Sequence, residues 1–283
     1  MSKNEVNELA VANDGIGFEV ENELYHQMSG ISSTDIKVMK LSPLHYLNKE
    51  LFKFDTDSLT RGSLYHKMVL EPDTLKQEFI KEDFEGAELN KNSKAYKEAK
   101  AEFLKQHQGK KIITKNEWEE TEKMSLITKT IAGALLENTV NERAFFWENE
   151  EFGELLKCKV DALNLQYGVA IDLKTISGDV ANEKDIQRAV LDYKYHISAA
   201  FYLDILNANG LDINSFVLIF QSTQKPYYCL PYLFSNEAIE LGRKEYRDTL
   251  ERWKRYKENG EINVVRKLNL PDWYINKVVG GEL

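Results

Sequence analysis

Apolar positions along this chain keep two different periods. Between Ile31 and Glu137 they mostly recur three and four residues apart, the spacing of helices with one buried stripe. From Ala144 to Leu233 strand-like runs dominate, and two helical stretches interrupt them. The run Ile31-Ser32-Ser33-Thr34-Asp35 predicts a helix start, and the helix continues through Lys40 to stop before Pro43. Leu44 to Phe54 reads as helical or irregular, and Arg61 to Leu70 as a short apolar helix closed by Glu71-Pro72, with His66 at its middle. A highly charged stretch, Asp73 to Gly109, precedes a helix from Asn116 to about Glu137.

The period then changes. Ala144–Trp147, Leu155–Leu163 and Val169–Thr175 predict three strands in a meander, with Asn164–Gly168 as the turn between the last two. Helices at Asn182–Leu191 and His196–Asn209 follow, then strands at Ser215–Gln221 and Tyr227–Leu233, then a long helix from Asn236 to about Glu258. Strands interrupted by helices behind a helix-rich first third predict an α/β layer fold. The expected organisation is a loose tail over residues 1–30, one domain over 31–275 and a short tail over 276–283.

Composition narrows the class. With 42% hydrophobic and 29% charged residues in 283, the chain is of ordinary globular type. A net charge of −9 argues against a protein that coats nucleic acid with its whole surface, but not against an enzyme that gathers positive charge in one groove. No apolar run approaches the ~18 residues a bilayer requires, and the first fifteen residues lack a signal peptide's basic start and apolar core, so a cytoplasmic protein without membrane contact is expected. The two cysteines, Cys158 and Cys229, are too few for a structural zinc site or a four-thiolate cluster, and free buried thiols are expected.

The chemistry lies in the second and third predicted strands. Side chains two apart share a strand face, so Asp172 and Lys174 project together from an otherwise apolar segment. Asp161 lies eleven residues earlier, and a turn centred on Gln166-Tyr167 brings it opposite Asp172. Two converging carboxylates cost several kcal/mol unless a cation joins them, and oxygen ligation suits Mg²⁺ or Mn²⁺. The Leu173 carbonyl, between the two charged residues, is a further candidate ligand. A metal with a lysine beside it is the equipment of phosphodiester hydrolysis, in which the lysine orients or deprotonates a water or stabilises the pentavalent charge.

These residues resemble the PD-(D/E)xK nuclease superfamily. The longer strings CKVDALN, AIDLKTIS and LDYKYHISAAFY look like the RecE-type exonucleases (exonuclease VIII) of phage and prophage. RGSLYHKMVLEPD resembles that family's Gly-x-x-x-His helix with Leu-Glu-Pro, and RKLNLPDWY its C-terminal ending, so the likeness spans roughly residues 31 to 275. It implies a restriction-endonuclease-like core, a mixed central sheet flanked by helices. It implies that Asp161, Asp172, the Leu173 carbonyl and His66 hold Mg²⁺ and that Lys174 is the catalytic lysine. The implied reaction digests one strand of linear double-stranded DNA 5′ to 3′, leaving a 3′ overhang for a RecT-like annealing protein, from a ring that is a homotetramer. One departure is visible: the family's Gln-x-x-x-Tyr has Ser198 four residues before Tyr202, with Tyr195, His196 or Gln187 as substitutes. That departure leaves open a catalytically weak DNA-end-binding scaffold, and the same metal chemistry also serves endonucleases.

Further candidates for DNA contact are Thr175, next to the lysine, and Arg61, at the start of the His66 helix. The lysine face Lys91, Lys94, Lys97, Lys100 and the group Arg243, Lys244, Arg247 could line a groove or simply be solvated, and Glu71 reads as a helix-end residue.

Overall fold

The structure, a computed structural model, describes residues 16–52, 57–87, 90, 92–260 and 268–279. Residues 1–15 and 280–283 of the expected tails, Lys91, and Arg266-Lys267 of the C-terminal motif lie outside the described residues.

A six-stranded sheet organises the molecule. Its strands are β1 (Phe18–Glu19), β4 (Val140–Asn149), β5 (Glu154–Asn164), β6 (Val169–Ile176), β7 (Ser215–Ser222) and β8 (Cys229–Leu233), in that spatial order. All neighbours run antiparallel except β6 and β7, which are parallel. A parallel pair needs a long crossover, and two helices supply it: α8 (Glu183–Asp192) and α9 (Tyr195–Ala208). As a central strand covered on both faces, β6 is a nearly continuous apolar run in which Val169, Ala170, Ile171 and Leu173 are buried. Gly168, at φ +63°, makes the turn into it. The expected three-strand meander and mixed sheet are therefore present, with each strand somewhat longer than its apolar run.

Helices cover both faces. On one lie α2 (Ser33–Leu41), α9 and α10 (Asn236–Asn259), whose Ile36, Met39, Phe201, Tyr246 and Leu250 pack on Leu156, Val160, Phe216 and Phe220. The other carries α4 (Asp57–Leu70) and α7 (Lys115–Leu136), where Tyr65, Val69, Met124 and Ala132 meet Ile171, Leu173, Val217 and Ile219. Local chemistry starts these helices where it should. Ser32 and Asp35 form a reciprocal capping box, Ser42 caps the short α3 (Pro43–Leu47) with proline at its first turn, and Ser235 caps α10. At the crossing of α9 and α10, Gly242 lies so close to the His196 carbonyl that a Cβ there would collide with it.

The N-terminal third also holds α5 (Leu75–Glu78), α6 (Lys94–Gln106) and a small parallel pair, β2 (Phe79–Lys81) with β3 (Lys111–Ile113), which the charged sequence there did not predict. Residues 16–30, expected as a tail, carry β1 and α1 (Asn22–Gln27); Val20, Tyr25 and Met28 are buried against Ala144 and Phe146. The last described element, α11 (Asp272–Val279), runs past the expected boundary at 275. Cys158 and Cys229 are free and buried, as expected. Among the described residues no helix is long and apolar enough to cross a membrane.

Candidate active site

Three acidic residues share one rung of the sheet. Pairing of Asn141 with Ala162 and of Arg143 with Val160 sets Glu142 opposite Asp161, and pairing of Ala162 with Ile171 sets Asp161 opposite Asp172. At this rung the ladder breaks. Glu142 is itself unpaired, with φ +53°, a left-handed backbone that costs a non-glycine residue on the order of 1 kcal/mol or more, and the β5–β6 pairing stops at Ala162. In place of a backbone acceptor, the Leu173 N–H donates to Asp161 Oδ2 at 2.7 Å.

From the far face α4 delivers His66. Its Nε2 lies 2.9 Å from the Leu173 carbonyl oxygen and its Nδ1 3.3 Å from Asp161 Oδ2. One ring nitrogen of His66 and one carboxylate oxygen each of Glu142 and Asp161 all fall within 4.8 Å of one another. Atoms this close could share one divalent cation, while the contact of His66 with the Leu173 carbonyl is a hydrogen bond of ordinary length.

Burial and mutual repulsion set the charge states of these groups. Burial, then Asp172, pushes the Asp161 carboxyl up to about 7, against the pull of Lys174 and the Leu173 N–H. Glu142 is also raised, by burial first and by Asp161, although Lys159 pairs with it at 3.0 Å. Burial and Lys174 together lower His66, which is therefore a neutral imidazole, the form that binds metals.

Asp172 is buried and its carboxylate meets Lys174 Nζ at 2.5 Å, while Lys174 also donates to the Leu173 carbonyl at 3.3 Å. Burial alone would lower the lysine, yet Asp172 and Asp161 hold its pKa above the usual range, so the group is a fixed ammonium. The sequence-predicted set Asp161, Asp172, Leu173, Lys174 and His66 is thus brought together. Within it Asp172 faces the lysine, and the trio best placed for a cation includes Glu142, which sequence reasoning missed.

The other candidates divide. Tyr195 lies beside the lysine, with Lys174 Nζ 5.5 Å from its ring centroid. Tyr202 hydrogen-bonds with Ser33 and senses Asp172 and Lys174. Ser198 and Thr175 are half-buried, and neither side chain has a hydrogen bond among the described residues. Gln187 donates to Glu183 on its own helix and His196 faces Glu245, so neither is engaged with the carboxylates. Arg61 pairs with Glu120 at 2.9 Å, tying α4 to α7, and Glu71 pairs with Lys67 at the helix end. The cations read as either lining a groove or simply solvated are mostly neutralised on the chain itself: Lys94 by Glu98, Lys100 by Glu82, Arg243 by Asp204 and Glu240, Lys244 by Asp248 and Arg247 by Glu151.

A second missed residue is Lys37 on α2, whose Nζ also lies 5.5 Å from the Tyr195 ring centroid. Burial first, then Lys174, lowers its pKa to about 8. The sequence carried no clear signal for it, since the buried residues of α2 already mix polar Ser33 and Asp35 with Ile36 and Met39.

A family described as PDDEXK-like domain of unknown function (DUF3799) matches residues 32–264. No curated protein sequence matches the chain. Among solved structures, a candidate exonuclease from Eubacterium rectale superposes with a TM-score of 0.58 at 17% identity, over 94% of this chain and 100% of that one. At such identity the likeness speaks for the fold, a restriction-endonuclease-like arrangement of a mixed sheet between helices.

Proposed function

Since the chain belongs to the PDDEXK-like family, whose signature residues make a nuclease-type site, we propose that it is a divalent-metal-dependent exodeoxyribonuclease of the RecE type. The observation that carries this reading is the broken rung, on which Asp161 faces Asp172, with His66 against one carboxylate and Lys174 against the other. A buried ion pair serving only stability would need neither the second carboxylate nor the histidine.

His66, Glu142, Asp161 and the Leu173 carbonyl would hold Mg²⁺, with Mn²⁺ as a substitute, and Asp172 adds a carboxylate at the border of the group. Such an ion polarises a phosphoryl oxygen and makes a nearby water more acidic. Lys174 acts as a permanent charge rather than a base: its ammonium stabilises the negative charge that grows on the phosphate in the transition state. Tyr195 confines that ammonium from one side.

The substrate in this reading is linear double-stranded DNA, one strand of which is digested 5′ to 3′ to leave an overhang for a RecT-like annealing partner. With a net charge of −9 and helix-surface cations already paired, capture of the duplex inside a homotetrameric ring suits this chain better than adhesion to an open surface. The enzyme would work in the cytoplasm of a bacterial host.

The test compares end-labelled linear duplex with covalently closed circles in Mg²⁺, Mn²⁺ and chelator. Release of mononucleotides from the 5′ end of linear DNA alone, lost in chelator, is the expected result. Cutting of circles would make the protein an endonuclease, and binding of ends without nucleotide release in Mn²⁺ would make it a scaffold.

A further inference from the structure

Lys37 and Lys174 stand at one aromatic ring, each with its Nζ 5.5 Å from the Tyr195 centroid, yet their surroundings differ. Lys174 is held by Asp172 at 2.5 Å. Lys37, half-buried, has no ion pair and no hydrogen bond among the described residues. The carboxylate whose field it feels, Asp172, is already engaged by Lys174, and the remaining charges acting on it, Lys174 and Lys194, are positive. The Lys194 side chain has no ion pair or hydrogen bond among the described residues either, and its backbone is left-handed at φ +53°.

A half-buried ammonium without an acceptor is costly, and a second ammonium nearby raises the cost. A contact with an aromatic ring returns about 0.5–2 kcal/mol and leaves the N–H donors unfilled. Lys37 Nζ is not among the buried atoms that lack a partner, so solvent reaches its donors, and beside the carboxylate rung they stay available to a ligand. An anion from outside, seated beside Lys174, can take the place of solvent there. A phosphodiester fits, because its two non-bridging oxygens can be shared between two ammoniums while the adjoining sugar or base lies against Tyr195.

We propose that Lys37 is a substrate-binding residue, whose ammonium takes a non-bridging oxygen of a backbone phosphate of the strand being cut. The proposal rests on the nuclease reading above and adds to it a contact from α2, an element that carries none of the signature residues.

Binding without turnover tests it. Fluorescence anisotropy of labelled linear duplex is followed over a salt series, with Ca²⁺ in place of Mg²⁺, for the full chain, Lys37→Met, Lys37→Arg and the exposed control Lys105→Met. Lys37→Met is expected to bind about tenfold more weakly and to flatten the slope of log affinity on log salt by about one. Lys37→Arg should keep most of the affinity and Lys105→Met all of it. Because the substitution removes an unpaired charge, Lys37→Met should unfold at the same temperature as the parent or higher, whereas a structural lysine would give a lower midpoint. Parental affinity and salt slope in Lys37→Met, in a parent that cuts DNA, would overturn the Lys37 assignment alone. A parent that neither binds nor cuts DNA would overturn the nuclease reading and this assignment with it.

Discussion

Asp161 Oδ2 lies 2.7 Å from the Leu173 backbone nitrogen, on the rung where β5 and β6 cease to pair. The carboxylate does two things there. It satisfies an N–H that the ladder has abandoned, and it fixes the peptide beside the carbonyl that faces His66 at 2.9 Å. Asp161→Asn keeps an acceptor at that place and removes the charge, so fold and activity separate. The variant should stay folded while metal-dependent nucleotide release falls by about 10²–10³ or more, and Lys174→Met should fall comparably. Activity within tenfold of the parent for either variant would remove that residue from the chemistry.

Acid–base linkage gives a second prediction. The Asp161 carboxyl, ordinarily near 3.8, is pushed up to about 7 by burial and by Asp172. A folded-state pKa above the unfolded one means that the native chain binds more protons between about pH 4 and 7, so this group's stabilising contribution is lost as pH rises through that window. Asp161→Asn abolishes the titration. In chelator, the variant's unfolding midpoint minus the parent's should therefore grow from pH 5 to pH 8, and saturating Mg²⁺ should raise the parent at pH 8 far more than the variant. A difference that stays flat with pH would show an unperturbed carboxyl.

Why some of this was readable and some not has physical reasons. The turn between β5 and β6 is short enough to fix the register, so Asp161 opposite Asp172 followed from counting residues. Lys174 followed from the two-residue period of a strand. His66 comes from an element more than ninety residues before that rung, and only its resemblance to a family motif linked it to the carboxylates. Glu142 had no such signal. Its register depends on where β4 turns into β5, around residues 150–153, and with arginine beside it in sequence it reads as a surface acid. The small elements β1, α1, β2 and β3 are too short, at two, six, three and three residues, to show a period, and tertiary packing decides them.

Gly242 sits where α9 and α10 cross, and a methyl group there would meet the His196 carbonyl, a backbone atom that cannot turn aside. Gly242→Ala is accordingly expected to destabilise the protein by about 1–3 kcal/mol despite alanine's better helix propensity. Denaturant unfolding reads it directly, and a stabilised variant would show that the crossing has slack.

Lys157 is 4% exposed and donates to the carbonyls of Tyr25, at 2.9 Å, and Met28, capping the end of α1 from inside the sheet. Lys157→Met strands both carbonyls, at about 1–3 kcal/mol. Residues 16–30 should then become accessible to protease before the rest of the chain unfolds. An unchanged cleavage pattern, read by mass spectrometry, would mean that β1 and the apolar contacts of Tyr25 and Met28 suffice.

Glu142 tests strain against function at one position. Its left-handed backbone at φ +53° is one that glycine adopts freely, and its carboxyl is raised by burial and by Asp161, so on both counts the native residue is unfavourable in the metal-free protein. Against this stands the ion pair to Lys159 at 3.0 Å, which Glu142→Gly would also lose. If the residue is kept for a cation, Glu142→Gly should leave metal-free stability within about 1 kcal/mol of the parent, the relieved strain offsetting the lost pair. The same variant should bind Mn²⁺ about tenfold or more weakly in calorimetric titration, since one of the trio's two carboxylates is gone. Loss of stability with Mn²⁺ affinity intact would instead make Glu142 a structural partner of Lys159 and leave the cation to His66 and Asp161.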